Sequence, residues 1–237
     1  MSQQTLMELF IKGMTNSGAL TEIGDVDDFE TWRGIQLNDS NDLVEIHWAY
    51  FDIGGSVALE WLPPTVESVA LNNNFLIGSL DLSLLQSPLW HFDVSYNVFR
   101  GEIRLDRLPK SLRVLNVSKN KLDGSIDLEH LPAGLEALHL NGNSFEGIVC
   151  LNNLPEELVG LDLSENFFCG ELDLTSLPPN IRHVHLYENS FSGVTDFSQL
   201  PPSLENFDIS STLVEGEATV KDDQDFTFPL AVTVNRN

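Results

Sequence analysis

The sequence predicts a solenoid built from short parallel strands, and three observations support this fold class. First, a 23-residue unit recurs eight times without insertion or deletion, starting at Leu43, Val66, Leu89, Leu112, Leu135, Leu158, Ile181 and Leu204. Second, positions 4 and 6 of every unit are apolar and alternate with mostly polar neighbours, as in a half-buried strand. Third, position 13 is Gly in every unit, which indicates a tight turn or a close backbone approach.

An amide side chain follows the predicted strand in the six inner units. The column consists of Asn74, Asn97, Asn120, Asn143, Asn166 and Asn189. A buried amide is costly unless it is hydrogen-bonded. We expect each Asn to bond the backbone of the turn leaving its own strand and of the next coil, so its predicted role is structural.

Leucine stands at position 20 of the first seven units and is usually followed by Pro. Proline lacks an amide donor and disfavours helix in the residue before it. The outer side of each unit is therefore predicted to be non-helical.

The segments "LRVLNVSKNKLDGSI" (112–126) and "LVGLDLSENFFCGEL" (158–172) resemble leucine-rich repeats and are similar to the plant-type class, with Leu-Pro added at the end of the unit. The resemblance covers about three quarters of the chain. It implies an α/β-type, right-handed horseshoe that is mostly β. Its eight-stranded parallel sheet would line the concave face, opposite a non-helical convex side.

Caps are predicted at both ends of the repeats in one continuous domain, with an amino-terminal cap over 1–42, repeats over 43–220 and a carboxy-terminal cap over 221–237. Leu6, Leu9, Phe10 and Met14 have helical spacing and predict a short amphipathic helix packed on the first unit. "FETWRGIQLND" resembles the Trp-x-Gly entry of plant-type amino-terminal caps, without their cysteine pairs. "FTFPLAVTV" predicts a strand or extended segment that closes the last unit.

Two features predict a cytoplasmic protein. Glu8 and Lys12 interrupt the one apolar amino-terminal run, so no signal peptide or transmembrane segment is expected. Cys150 and Cys169 stand at positions 16 and 12 of adjacent units, roughly 13 Å apart at about 3.3 Å per residue, too far for a disulfide. Two unpaired, exposed thiols are typical of a reducing compartment.

The formal net charge is −24, from 36 acidic and 12 basic residues. This acid excess disfavours nucleic acid and anionic membrane as partners and favours a basic protein. Seven basic residues nevertheless cluster in one segment: Arg100, Arg104, Arg107, Lys110, Arg113, Lys119 and Lys121. This segment either docks an acidic partner or pairs with neighbouring acids, and the second interpretation is favoured.

Motifs for catalysis are absent from the sequence, which contains no phosphate-binding Gly loop, nucleophile elbow, paired Cys-x-x-Cys or His-Glu-x-x-His. The protein is therefore not expected to be an enzyme. The outward strand positions 3, 5, 7 and 8 instead hold five of the six His and all three Tyr. Together with a neighbouring Trp, they give the predicted partner-binding residues: Trp90, His91, Asp93, Tyr96, His139, Asp162, His183, His185, Tyr187 and Asp208.

A His and Asp column on the predicted concave face contains the residue types of a metal site. His139, Asp162, His185 and Asp208 occupy position 5 of successive units, whose strands stack about 4.8 Å apart. They are expected to alternate as hydrogen-bonding neighbours, which could supply a metal site or a pH-dependent contact. A polar contact surface without metal or cofactor is favoured, because Asp-x-Ser here is common in the family.

Protein recognition on the concave face is the predicted function. A second hypothesis is receptor-like binding of a small ligand or saccharide, which would need an enclosed pocket. A third is a scaffolding or inhibitory subunit of an enzyme. Co-purification of an active enzyme would distinguish this last hypothesis from the first.

Overall fold

The chain folds into a solenoid with two ten-stranded sheets, here called sheet A and sheet B, in a computed structural model that describes residues 1–21, 28–221 and 224–236. Residues 22–27, 222–223 and 237 of the predicted caps lie outside the described part. One α-helix, α1 (Gln3–Phe10), precedes the strands. Sheet A contains the strand that opens each repeat, and sheet B contains a second strand from the same repeat.

The strands of sheet A are β2 (Ile35–Leu37), β3 (Leu43–His47), β5 (Ser68–Ala70), β7 (His91–Asp93), β9 (Val114–Asn116), β11 (Ala137–His139), β13 (Gly160–Asp162), β15 (His183–His185), β17 (Asn206–Asp208) and β19 (Asp225–Thr227). The strands of sheet B are β1 (Met14–Thr15), β4 (Gly54–Gly55), β6 (Phe75–Gly78), β8 (Val98–Gly101), β10 (Lys121–Gly124), β12 (Ser144–Ile148), β14 (Phe167–Gly170), β16 (Ser190–Asp196), β18 (Leu213–Val220) and β20 (Val232–Arg236). Neighbouring repeat strands are parallel in both sheets.

Each repeat contributes two strands, so the prediction of one strand per unit was wrong. The second strand follows the Asn column and in five of the eight repeats buries one side chain, such as Phe168 in β14. A single apolar position followed by Gly is too short a pattern to reveal a strand by alternation. Phe145, Phe168 and Phe191 stack along this part of the core, with ring centroids 6.2 and 6.3 Å apart.

Two columns of the repeat adopt left-handed backbone. The eight glycines at position 13 have φ between 76° and 154°, which explains why the sequence keeps Gly there. Position 8 is also left-handed in all eight units, with φ between 51° and 66°, although only Gly142 among its members is glycine. The other members are Tyr50, Asn73, Tyr96, Lys119, Glu165, Glu188 and Ser211.

The Asn column bonds the preceding coil rather than the next one, as Asn166 shows. Its Nδ2 group donates to the carbonyl oxygens of Leu163 and Ser164 in its own turn, at 3.1 and 3.0 Å. Nδ2 also donates to Leu140 O at 3.1 Å, and Oδ1 accepts from the Phe145 amide at 3.0 Å. The structure therefore agrees with the expected structural role. The prediction that each Asn bonds the next coil was wrong, because it bonds the preceding one.

The amino-terminal cap contains the predicted helix with a different buried face. Met7 and Phe10 are fully buried, whereas Leu6 and Leu9 are half-buried. Strands β1 and β2 pair antiparallel with β4 and β3, so they end both sheets on this side. Trp32 packs against Trp48 with ring centroids 6.2 Å apart.

The carboxy-terminal segment forms two strands rather than one extended piece. Strands β19 and β20 join sheets A and B in parallel and thereby add another coil. Sheet A has ten strands instead of the predicted eight, because β2 and β19 extend the eight repeat strands. Within the described repeats the outer side has no α-helix and contains 3-10 turns at Leu59–Trp61 and Leu82–Leu84.

Candidate functional site

The outward face of sheet A displays all ten residues predicted for partner binding. Trp90, Tyr96 and His183 are exposed. The other seven are half-buried, namely His91, Asp93, His139, Asp162, His185, Tyr187 and Asp208. All ten are therefore accessible to a partner, which is a geometric condition for the predicted role.

The aromatic side chains form two separate groups on this face. Trp90 contacts His91 in the third unit with centroids 5.4 Å apart, and His185 lies 6.2 Å from Tyr187 in the seventh. Four strand spacings separate the two units, or about 19 Å at about 4.8 Å each. The intervening position 3 side chains are small: Val114, Ala137 and Gly160. The outward face of sheet A therefore has two groups of bulky side chains, with small position 3 side chains between them.

One ion pair connects His and Asp in the position 5 column. His185 Nδ1 lies 3.7 Å from Asp162 Oδ2. The interaction with Asp162 raises the pKa of His185, although desolvation opposes this change. Burial alone would raise the pKa of Asp162, but the interaction with His185 and the hydrogen bonds from Ser164 outweigh it and leave that pKa below its usual value.

The predicted alternation along this column is not seen beyond that pair. His139 is the Cα partner of Asp162 on the other side, yet the two side chains form no hydrogen bond or ion pair within the described part of the chain. Burial lowers the pKa of His139, with Asp162 acting in the opposite direction. The carboxylates of Asp93, Asp162 and Asp208 each accept the amide of the Ser two residues on, at 2.9 to 3.0 Å.

A metal site finds no geometric support among the residues that the structure describes. No group of three or more His, Cys, Asp or Glu side chains there is placed to hold a metal ion. His91 instead contacts the Ser68 hydroxyl through Nδ1 at 3.1 Å, and burial lowers its pKa.

Ion pairs between repeats, which the sequence analysis did not predict, cross this same face. Lys119 Nζ lies 2.5 Å from Glu165 Oε2, and Tyr187 Oη donates to Glu165 at 3.5 Å. At position 2, Arg113 pairs with Glu136, and Arg182 pairs with Glu205. Opposite charges exactly one unit apart at position 2 were the available signal for these last two pairs.

Comparison with known proteins gives no match to a family model and none to a curated protein sequence. Among solved structures, the LRR ectodomain of the plant membrane receptor kinase GASSHO1/SCHENGEN3 from Arabidopsis thaliana, in complex with CASPARIAN STRIP INTEGRITY FACTOR 2, is similar with a TM-score of 0.68. The match covers 95% of this chain and 33% of that one at 17% identity. The chain has the leucine-rich-repeat fold.

Two further leucine-rich-repeat structures agree. PEPR1-AtPEP1 matches with a TM-score of 0.67 at 20% identity, covering 92% of this chain and 38% of that one. Pollen Receptor Kinase 3 matches with a TM-score of 0.59 at 24% identity, covering 85% of this chain and 95% of that one. The chain thus spans about a third of the length of the first two and nearly all of the third.

The predicted right-handed leucine-rich-repeat solenoid is therefore confirmed as the fold, with sheet A as its concave sheet. These likenesses, at 17 to 24% identity, show the fold alone. No helix in the described ranges is long and apolar enough to span a bilayer.

Two clefts in this leucine-rich-repeat solenoid lie away from the predicted site. Cavities of about 540 and 560 Å³ open near the carboxy-terminal coil. The first is lined in part by Phe197 and Phe226, and the second by Leu213 and Phe228. None of the ten predicted residues lines either cavity, so these two cavities give the small-ligand hypothesis no support at the predicted site.

The cysteines and the basic segment also have defined places. Cys150 and Cys169 are free, and both are half-buried rather than exposed as expected.

In the basic segment, Arg104 and Arg107 pair with Asp106, while Arg113 and Lys119 form the pairs described above. The remaining three, Arg100, Lys110 and Lys121, have no ion pair within the described residues.

Proposed function

We propose that this protein is a recognition module that binds a protein or peptide partner on the outward face of sheet A. The observation that carries the proposal is the placement of Trp90, His91 and Tyr96 in one accessible group and His183, His185 and Tyr187 in another. Amphipathic aromatic side chains supply much of the binding energy in protein interfaces. The proposed contact set is completed by Asp93, His139, Asp162 and Asp208, which offer polar groups between and beside these two groups.

The proposed partner is basic. Three cations lie on this face, namely Lys119, Arg113 and Arg182, and each is already paired with a Glu. The carboxylates of Asp93, Asp162 and Asp208 therefore remain as uncompensated negative charge, apart from the partial pairing of Asp162. A net charge of −24 would also speed the approach of a basic partner.

The partners of similar structures support a peptide or protein as the class of ligand. One is a complex with CASPARIAN STRIP INTEGRITY FACTOR 2, and another is PEPR1-AtPEP1. A third, HAESA, is in complex with the peptide hormone IDA and the co-receptor SERK1. We extend this class of ligand to the present chain as part of the proposal.

A cytoplasmic location remains part of the proposal and rests on the two free thiols, Cys150 and Cys169. The similar structures are ectodomains, which favours the opposite compartment. Fractionation of the native cell with an antibody decides between them. Recovery in the secreted or surface fraction would overturn the cytoplasmic location while leaving the recognition role intact.

Affinity capture from native extract tests the recognition role. The binding variant replaces Tyr96, His183, His185 and Tyr187 with Ala. A matched control replaces four exposed apolar residues of sheet B with Ala: Ile148, Phe167, Val194 and Leu213. Circular dichroism first establishes that all three proteins are folded, and mass spectrometry then identifies the captured proteins.

The expected result is a basic protein that wild type and control retain and the binding variant loses. Equal capture by all three would show that sheet A is not the site. If wild type captures no protein, the proposal fails, and a screen of metabolites and glycans would then test the small-ligand alternative.

A further inference from the structure

We propose a second docking surface on sheet B, which binds a protein segment that carries both carboxylates and apolar side chains. The surface consists of Phe75, Ile77, Val98, Arg100 and Lys121, and is called the basic-apolar patch below. It lies on a different sheet from the proposed recognition face and does not depend on it.

Strand register places these five side chains together. They belong to three consecutive strands, β6, β8 and β10, and all alternate with buried residues, so they share the outward face. Ile77 is the Cα partner of Val98, and Arg100 is the Cα partner of Lys121. Neighbouring strands are about 4.8 Å apart, so each pair lies side by side, with an apolar pair next to a basic pair.

The two cations of the patch lie side by side on neighbouring strands. Arg100 and Lys121 have no ion pair in the described part of the chain, in contrast to Arg113, Arg182 and Lys119. Two nearby acids form no ion pair with them. Asp123 follows Lys121 along β10 without pairing to it, and the Glu102 side chain lies against Gly124, with Cγ 2.6 Å from the ideal Cβ position there.

The apolar part of the patch is open on one flank. Phe75 is 62% exposed and Ile77 is 51% exposed. The strand beside Phe75 is β4, which is only Gly54–Gly55, and Gly54 is the Cα partner of Phe75. A neighbouring strand without side chains leaves the face of the Phe75 ring free for an incoming apolar group.

Charge selects the class of partner. Two adjacent unpaired cations attract carboxylates locally, since screening over about 8 Å at physiological ionic strength limits the effect of the distant acids. The net charge of −24 opposes adsorption to an anionic bilayer or a nucleic acid, which needs many cations on one face. A short acidic segment with apolar side chains satisfies both halves of the patch.

A library of random peptides displayed on phage tests this inference with the full chain as bait. Selection proceeds on wild type, with depletion on an Arg100→Glu/Lys121→Glu variant. The expected enriched peptides combine Asp or Glu with Leu, Ile or Phe. Enrichment of basic peptides, of peptides without acids, or of nothing beyond the unselected library would overturn the proposal.

Enriched peptides are then synthesised and titrated by fluorescence anisotropy. Arg100→Glu/Lys121→Glu should raise the Kd about tenfold or more. The charge control is Arg104→Glu/Arg107→Glu, which makes the same change in net charge at exposed residues outside the patch. For the apolar half, Phe75→Ser should weaken binding, while Phe167→Ser, at an equally exposed Phe of the same sheet, should not.

Equal effects of the patch and control variants would show that net charge or general hydrophobicity drives binding, which contradicts a specific patch. Sedimentation with phosphatidylcholine/phosphatidylserine vesicles tests a lipid surface as the alternative partner. Vesicle binding that Arg100→Glu/Lys121→Glu abolishes would replace the protein segment with a lipid surface. The quadruple sheet A variant described above should retain peptide binding, which separates this inference from the recognition proposal.

Discussion

The Lys119 ammonium lies 2.5 Å from a carboxylate oxygen of Glu165, which stands two repeats farther along the chain. The side chain of Lys119 reaches it across Gly142, the residue at the same position in the repeat between them. A Cβ on Gly142 would lie 2.5 Å from Lys119 Cδ and 3.0 Å from Nζ. The missing side chain at Gly142 therefore permits an ion pair between repeats that are not neighbours.

Gly142→Ala should destabilise the fold by about 1–2 kcal/mol, because φ is +66° and a Cβ is strained in the left-handed region. Displacing Lys119 should add about 0.5 kcal/mol, as expected for a partly exposed ion pair. Urea unfolding measures both contributions. In a Lys119→Met background the second contribution should disappear, and an unchanged cost there would contradict the bridging role of this contact.

Asn166→Ala should reduce the free energy of unfolding by about 3 kcal/mol. It removes the partner of a buried amide and of three carbonyl oxygens. Asn141→Ala is the control, because this half-buried Asn lies on the outward face and its side chain forms no hydrogen bond within the described residues. Thermal and urea unfolding should separate the two variants clearly, and equal losses would contradict the assigned role of the column.

The two glycines of the sixth repeat should respond oppositely to alanine. Gly170→Ala should cost about 1–2 kcal/mol, because φ is +89° and the new Cβ would lie 3.1 Å from Ile148 Cγ1. Gly160→Ala meets nothing within 4 Å and lies in a strand, where Ala is favoured over Gly by roughly 0.5–1 kcal/mol. Urea denaturation compares them, and a loss of stability in Gly160→Ala would show that this face of sheet A is packed differently.

The His185 and Asp162 pair should stabilise the fold between two pH limits. The pKa of His185 is raised, so its contribution is complete below its unfolded pKa of about 6.5 and is lost as pH rises through the folded pKa. The pKa of Asp162 is lowered, so its contribution is lost as pH falls through the folded value. His185→Gln should cost about 0.5 kcal/mol more at about pH 5.5 than at about pH 9, since solvent screens this half-exposed pair.

His139 supplies the control with the opposite sign. Burial lowers its pKa, so the unfolded chain takes up a proton first as the pH falls below about 6.5. Acid therefore destabilises wild type through this residue, and His139→Gln should gain stability relative to wild type at about pH 5.5 compared with about pH 9. Parallel urea titrations at the two pH values check both histidines, and the same sign for both would refute the assignment.

The repeat and sheet A could be predicted because their signals lie within one unit. Leu138 and Leu161 repeat at the same position, alternate with polar residues and are buried as expected. Sheet B escaped prediction because a strand such as β14 buries one side chain before its Gly. The left-handed turn at Tyr96 or Glu165 was also hidden, since residue types other than Gly occupy it in seven of the eight units.

The predicted site residues are accessible in the structure but do not form the expected network, and their role in binding stays a prediction. Positions 3 and 5 follow directly from strand alternation, so His183 is exposed as expected. Side-chain pairing depends on rotamers and on neighbours one or two repeats away. His139 therefore fails to pair with Asp162, and the reach of Lys119 over Gly142 could not be read from composition.

The bonds that Asn166 makes outside its own turn go to Leu140 and Phe145, in the coil immediately before it. These hydrogen bonds of the Asn column connect each coil only to an adjacent coil. A molecule pulled by its two ends should therefore unfold in steps. Each step would release one 23-residue coil, or about 75 Å of extended chain, while the remaining coils stay intact. The solenoid should accordingly extend in increments of one coil and refold from the coils that remain folded.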